Sequence, residues 1–204
     1  MKKYNYLALD RLYASGGFTI GKKVAERLGI PYHNQDILEK SALSLGVELP
    51  KAKKAEETVA SSVIYGLSLA SNPDMFNDGR LPMADKLFIE EAKVIREYAS
   101  TEDGFVVIGR CSDVILGNKS DCLRVFICAE MQDRINRATQ EYSVKPIDVE
   151  KVIRRNDRRR TSFYEFNTSK KWGYRDNYHL ILNSSALGID GCVDIIVNLM
   201  QGNN

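Results

Sequence analysis

Short apolar runs that do not alternate with polar residues constrain this chain most. Tyr4–Leu9, Phe105–Gly109 and Arg124–Ala129 read as nearly continuous hydrophobic stretches, the pattern of strands buried on both faces of a parallel sheet. Ile30–His33 and Tyr178–Asn183 bring the candidate strands to five. Helical stretches separate them. Phe18–Leu28 places Ile20, Val24 and Leu28 four residues apart and stops at Gly29, with Pro31 beyond. Met83–Tyr98, Met131–Tyr142 and Ile189–Met200 read as helices as well. Strand and helix in alternation predict an α/β doubly wound core. Residues 35–86 break the rhythm with helical segments such as Glu56–Leu69, turn signals at Ser71-Asn72-Pro73-Asp74 and Asn77-Asp78-Gly79, and no strand. This stretch is either a helical insertion that covers a substrate or a long crossover.

At 204 residues, one domain is expected. A hydrophobic fraction of 44% against 27% charged residues suffices for a core. The net charge of +2 gives no electrostatic reason to expect a nucleic-acid or membrane partner. The four cysteines, Cys111, Cys122, Cys128 and Cys192, form no Cys-x-x-Cys pair, and with two histidines there is no zinc spacing. They read as reduced, mostly core thiols. No run of 18 apolar residues exists, and Met1-Lys2-Lys3-Tyr4 leads straight into the first strand. A cytoplasmic protein is the expectation.

The first strand runs into Asp10-Arg11-Leu12-Tyr13-Ala14-Ser15-Gly16-Gly17-Phe18-Thr19-Ile20. A glycine-rich turn between a strand and a helix N-terminus can point amide N–H groups at phosphate oxygens. Ser15, Gly16, Gly17, Phe18 and Thr19 are the candidate cradle, and the Thr19 hydroxyl is the candidate ligand for Mg²⁺ or a phosphate oxygen. A formal Gly-x-x-x-x-Gly-Lys match, Gly16 to Lys22, starts too late. Its Gly21 and Lys22 fall inside the helix, where amides are already spent on intrahelical bonds. In a register that follows Leu9 directly, Gly17 holds the lysine position. Arg11 is the candidate replacement cation, since a guanidinium binds phosphate bidentately and stays charged. The plainer reading pairs Arg11 with Asp10 or Asp36.

Asp148 to about Phe163 carries Arg154, Arg155, Arg158, Arg159 and Arg160. Helical spacing puts Arg155, Arg158 and Arg159 on one face. Guanidiniums so close repel unless anions separate them, and a transferring phosphoryl group is such an anion. A solvated face with Asp157 and Glu150 as counterions is the alternative. The aromatic residues that follow, Phe163, Tyr164, Phe166, Trp172 and Tyr174, could stack bases. No nucleic-acid-binding signature accompanies them, so small-molecule nucleotides are the expected partners.

In order along the chain, several segments resemble the cytidylate kinase-like family of P-loop nucleoside monophosphate kinases. They are Arg11 with Ser15-Gly16-Gly17 and Ile20, Leu28-Gly29-Ile30-Pro31-Tyr32, and Val107-Ile108-Gly109-Arg110-Cys111-Ser112-Asp113. Val125-Phe126-Ile127, Asp133-Arg134-Ile135, Asp157, Arg159-Arg160, Tyr164, Lys170-Lys171-Trp172-Gly173, Asn177-Tyr178 and Leu182-Asn183-Ser184-Ser185 continue the match. The resemblance implies a three-layer fold on a five-stranded parallel sheet. It also implies a helical monophosphate-binding insertion at about 35–86 and an arginine-bearing lid at about 145–175. By position, Arg110 resembles the acceptor-phosphate arginine, with Asp113 beside it on the substrate side. Arg155, Arg159 and Arg160 resemble the arginines that clamp the transferring phosphoryl. The implied reaction is phosphoryl transfer from ATP with Mg²⁺ to CMP or dCMP. The chain departs from cytidylate kinases at Gly17, a trait shared by the Ser-Gly-Gly branch of the family. It departs again at Asn34, where related chains carry an acid, so that either Asp36 takes that role or the acceptor preference differs, and at Phe18-Thr19 in place of a charged pair. These departures leave a nucleotide-binding regulatory protein without catalysis as the rival reading.

Overall fold

A computed structural model describes residues 3–56 and 81–202. Five strands form one parallel sheet: β1 Tyr6–Arg11, β2 Tyr32–His33, β3 Phe105–Ile108, β4 Cys122–Cys128 and β5 Leu180–Asn183, in the spatial order β2-β3-β1-β4-β5. The helices are α1 Gly17–Leu28, α2 Gln35–Ser44, α3 Leu49–Glu56, α4 Met83–Thr101, α5 Ser112–Ile115, α6 Met131–Gln140, α7 Val149–Thr168 and α8 Ser184–Gln201. The expected helical stretch beyond Glu56 and both turn signals of the 71–79 segment lie outside the described residues.

Alternate residues of β1 explain the layers. Leu7 and Leu9 face Ile20 and Val24 of α1 and Val193 and Ile196 of α8. Tyr6 and Ala8 face Val94, Ile95 and Tyr98 of α4. Both faces are covered, so the strand carries no polar alternation. Each fully buried Leu, Ile or Val contributes about 1.5–3 kcal/mol relative to exposure. The parallel arrangement sends all five carboxyl ends to one edge, where α/β folds place their ligand crevice.

One boundary bears on function. The ladder continues past Leu9, pairing Asp10 with Phe126 and Arg11 with Ile127. The loop expected directly after Leu9 therefore begins after Arg11, and Arg11 closes the strand instead of opening the loop. Its neighbour β4 runs to Cys128 and supplies the extra partners. At the other end of the chain, α8 is broken at Gly188 (φ 70°, ψ 168°), so the regular helix begins at Ile189 as its spacing predicts.

Candidate active site

Leu12 to Gly16 make the turn, and α1 starts at Gly17 with Gly16 (φ 82°) as its N-cap. Every carbonyl from Arg11 to Ser15 accepts a side-chain hydrogen bond. Arg160 Nη1 donates to Arg11 O at 3.1 Å, and Ser15 Oγ to Leu12 O at 2.9 Å. Arg134 Nε donates to Tyr13 O at 2.8 Å, and Arg137 Nη1 to Ala14 O at 2.7 Å. Ser184 Oγ donates to Ser15 O at 2.6 Å. With its carbonyls drawn aside in this way, the loop leads to the first-turn amides of Gly17, Phe18 and Thr19, which have no intrahelical acceptor. They lie at the positive end of α1, where an anion is favoured. Ser15 is buried, Thr19 half-buried and Phe18 exposed. Lys22 is exposed and pairs with Glu26 at 3.8 Å across one helical turn. Gly21 packs against Ile108, whose Cδ1 lies 2.5 Å from where a Cβ would stand.

Arg11 leaves the sheet between two glycines. A Cβ on Gly17 would sit 2.6 Å from Arg11 Cβ and 2.9 Å from Arg11 Cγ, and a Cβ on Gly109 would overlap Arg11 Nη1. The stem of Arg11 therefore occupies the space into which a side chain at position 17 would project. Burial lowers the Arg11 pKa, and Asp10, whose Oδ1 is 3.6 Å from Arg11 Nη1, works against that shift. Arg160 is next to it, its pKa drawn down to about 9 by burial and then by Arg11. Two crowded guanidiniums of this kind favour an added anion.

A cleft of ≈ 370 Å³ opens at the carboxyl edge of the sheet. Arg11, Arg110, Arg159, Arg160 and Lys53 line it as cations, and Asp10 and Glu56 as anions. Phe163, Tyr164 and Trp172 line another part of its wall. Each nitrogen of the Arg110 guanidinium is engaged. Nε donates to Glu91 Oε1 at 2.9 Å, Nη1 to Asn34 Oδ1 at 3.2 Å, and Nη2 lies 2.7 Å from Glu56 Oε1. Burial opposes the charge of Arg110, but Glu91 and Glu56 outweigh it and raise its pKa. Glu91, 1% exposed, is raised to about 7 by burial, against the pull of Arg110. Gly109, Arg110 and Cys111 all have positive φ (68°, 55° and 53°). For the two non-glycine residues this costs on the order of 1–2 kcal/mol each.

Other expected site residues stand elsewhere. Asp36 does not line the cleft. Its Oδ2 is 2.6 Å from His33 Nδ1 and accepts from Tyr98 OH at 2.9 Å, while its Oδ1 accepts from the Asn34 N–H at 2.7 Å. Burial opposes its ionisation, but these bonds hold its pKa down at about 2. Asn34 is the residue that meets Arg110. Asp113 is likewise not on the lining and makes no ion pair with Arg110. It accepts from Tyr164 OH at 2.6 Å, and burial raises its pKa to about 6 against that bond. Arg155 is exposed and away from the cleft, whereas Arg159 and Arg160 are on it. Sequence reasoning missed Glu91, Glu56 and Lys53. Glu91 carried a signal, since it interrupts the apolar stripe Phe88, Ala92, Ile95 at helical spacing.

His33 also touches Glu102, with Nε2 2.8 Å from Oε2, and stacks on Tyr98 at 3.8 Å. Burial disfavours its charge, but the two carboxylates outweigh burial and raise its pKa. Stability from a raised histidine is complete below the unfolded value of about 6.5 and is lost as pH climbs through the folded value. The urea midpoint should therefore fall between pH 6 and pH 8.5, and fall less in His33→Gln. Equal pH slopes in the two proteins would remove His33 from the account.

Among the described residues, no group of three or more His, Cys, Asp or Glu side chains is placed to hold a metal ion. No described helix is long and apolar enough to cross a membrane. Thr19 presents a single hard oxygen donor, enough for an ion that takes its remaining ligands from phosphate and water.

Comparison with known proteins places these features in context. The model of the cytidylate kinase-like family matches residues 6–186. No curated protein matches the chain. Among solved structures, an uncharacterized protein from Eubacterium ventriosum is 20% identical with a TM-score of 0.70, covering 96% of this chain and 97% of that one. Shikimate kinase from Acinetobacter baumannii, in complex with shikimate, is 14% identical with a TM-score of 0.55, over 98% and 95% of the two chains. Shikimate kinase from Bacteroides thetaiotaomicron is 13% identical with a TM-score of 0.54, over 96% and 97%. At these identities the likeness is one of fold, the α/β P-loop kinase fold.

Proposed function

The chain belongs to the cytidylate kinase-like family, and from that premise we propose that it transfers a phosphoryl group from ATP to a nucleoside monophosphate, with CMP or dCMP as the acceptor. The observation that carries this reading is Arg11, threaded between Gly17 and Gly109 where the turn, the cleft and the arginine helix meet. The phosphates of ATP lie on the amides of Gly17, Phe18 and Thr19, and Arg11 supplies the positive charge that a loop lysine gives elsewhere. Thr19 would hold Mg²⁺, which when bound draws charge from the phosphate oxygens. Arg110, also on the cleft, binds the phosphate of the acceptor. Arg159 and Arg160 sit where charge spreads during in-line transfer, which needs positioning and positive charge and no covalent intermediate.

The acceptor-side insertion expected at about 35–86, of which 35–56 and 81–86 are described, takes the acceptor. Residues from about 145 to 175 act as the lid, and closure expels water. The protein works in the cytoplasm on small-molecule nucleotides.

A coupled assay with ATP against CMP, dCMP, UMP and AMP tests the reading. Turnover is expected with a cytidylate and not with AMP. MgATP at a hundred times its Kd should add about 2.7 kcal/mol of stability, or about 5–10 °C in Tm for a chain of this size. If MgATP raises Tm and no acceptor turns over, the non-catalytic binder replaces the kinase. Gly17 is the feature of the loop that favours that rival.

A further inference from the structure

Arg134 and Asp157, from two different helices, both reach the backbone of a single loop residue. The Tyr13 N–H donates to Asp157 Oδ1 at 2.8 Å, and Arg134 Nε donates to Tyr13 O at 2.8 Å. Arg134 Nη2 pairs with Asp157 Oδ2, closing a ring of three contacts through α6, α7 and the loop. Arg134 is buried, 5% exposed, and Asp157 is half-buried. The adjoining surface is apolar. Ala14, in the left-handed region (φ 58°), packs with Ala138 of α6 and with Val149 and Ile153 of α7. Arg160, one helical turn beyond Asp157, lies over the Tyr13 ring at 5.6 Å and holds Arg11 O.

We infer that Arg134 and Asp157 are positioning residues, an ion pair that clamps both backbone groups of Tyr13 and so sets the path of the phosphate loop. The inference rests on the phosphate-binding role proposed for that loop. It also narrows the lid. Asp157 and Arg160 stand on the same helix, so α7 cannot swing away at this turn without releasing Tyr13 and Arg11 O together. The arginine helix stays docked on the loop through Asp157, and closure belongs to the segments on either side. A charged pair suits this role better than neutral groups. Arg134 serves two acceptors from one rigid fork, and the carboxylate uses one oxygen for the loop and the other for the arginine.

Amide hydrogen exchange over Leu12–Gly16 and MgATP affinity, measured on the full chain, test the clamp. Asp157→Ala and Arg134→Lys should each speed exchange in this segment and weaken MgATP binding. The loss should be about tenfold or more for Asp157→Ala, which removes one partner of a buried charged pair. It should be less for Arg134→Lys, which keeps the charge and loses the fork that spans Tyr13 O and Asp157. The KM for the acceptor nucleotide should stay near the wild-type value. Asp157→Glu, which keeps the charge, should recover part of the affinity. Glu150→Gln, on the exposed face of the same helix, should change neither reading. Exchange and affinity at wild-type levels in both Asp157→Ala and Arg134→Lys overturn the inference. Faster exchange with unchanged affinity also overturns it, because the loop path would then not matter to the nucleotide. If Asp157→Ala fails to fold, Arg134→Lys with Asp157→Glu carries the same test. A wild-type protein that does not bind MgATP contradicts the proposed function and not the clamp, which the exchange rates then decide alone.

Discussion

Arg11→Gly and Gly17→Lys should each cripple the protein, and the double substitution should recover most of the loss. Removing Arg11 takes one preorganised cation from the phosphates, a change that costs about 10²–10³-fold in turnover for comparable donors. Adding a lysine at Gly17 drives its Cβ into the Arg11 stem, which stands 2.6 Å away at Cβ and 2.9 Å at Cγ. Overpacking of this kind costs about 1–3 kcal/mol, and it displaces the very guanidinium the loop depends on. In the double variant the stem is gone, and a lysine can rise from the first turn of α1 into the vacated space. Leu9 Cδ2, 3.4 Å from the new Cβ, is the remaining tight contact. The expected sign of the coupling is therefore strongly positive, read as kcat/KM for ATP across the four proteins. Additive losses would mean that Arg11 and position 17 do not share a site.

Arg110→Ala should be the most destabilising single change at the cleft. It strands Glu91, a carboxylate 1% exposed whose charged partner is Arg110. Breaking a buried pair by removing one member costs about 3–5 kcal/mol. For a chain of about 200 residues that is a fall of roughly 6–20 °C in Tm. The pH dependence separates this mechanism from simple loss of packing. Burial already raises Glu91 to about 7 with Arg110 present, and without the guanidinium nothing opposes the rise. The folded state then holds a proton that the unfolded state gives up above the ordinary glutamate value. Stability falls as pH rises wherever the folded state binds more protons. The deficit of Arg110→Ala relative to wild type should thus be small near pH 5 and grow toward pH 8. Adding Glu91→Gln should flatten that slope. A pH-independent deficit would assign the damage to lost packing.

Strands β1, β3 and β4 were legible because they are buried on both faces and so read as apolar runs, while the edge strand β5 was legible from its apolar residues although Ile181 is exposed. Helix α1 was legible from Ile20, Val24 and Leu28. The end of β1 was not, because Asp10 and Arg11 carry no apolar signal and owe their place in the ladder to Phe126 and Ile127, more than a hundred residues away. Asp36 looked like an acceptor-site acid because it follows β2. Hydrogen bonds to His33 and the Asn34 amide close by in sequence, and from Tyr98 62 residues further on, hold it instead. Neither the short-range bonds nor the distant one is visible when only residue order is read. The arginine helix was visible as composition. Which arginines meet the cleft depends on the rotation of α7, and Asp157 sets that rotation through Tyr13. The clamp on Tyr13 could not be read from spacing, since its three members belong to a loop and two helices distant in sequence.

The most direct measurement is the dissociation constant of MgATP for Arg11→Ala beside Lys22→Ala. With Arg11 standing in for the loop lysine, Arg11→Ala should weaken binding by about thirtyfold or more, the cost of truncating one partner of a buried, hydrogen-bonded charge pair. Lys22→Ala should stay within about twofold of wild type, as expected for an exposed pair with Glu26. The opposite ranking, with Lys22→Ala the damaging change, would restore Gly16 to Lys22 as the phosphate loop and contradict the account.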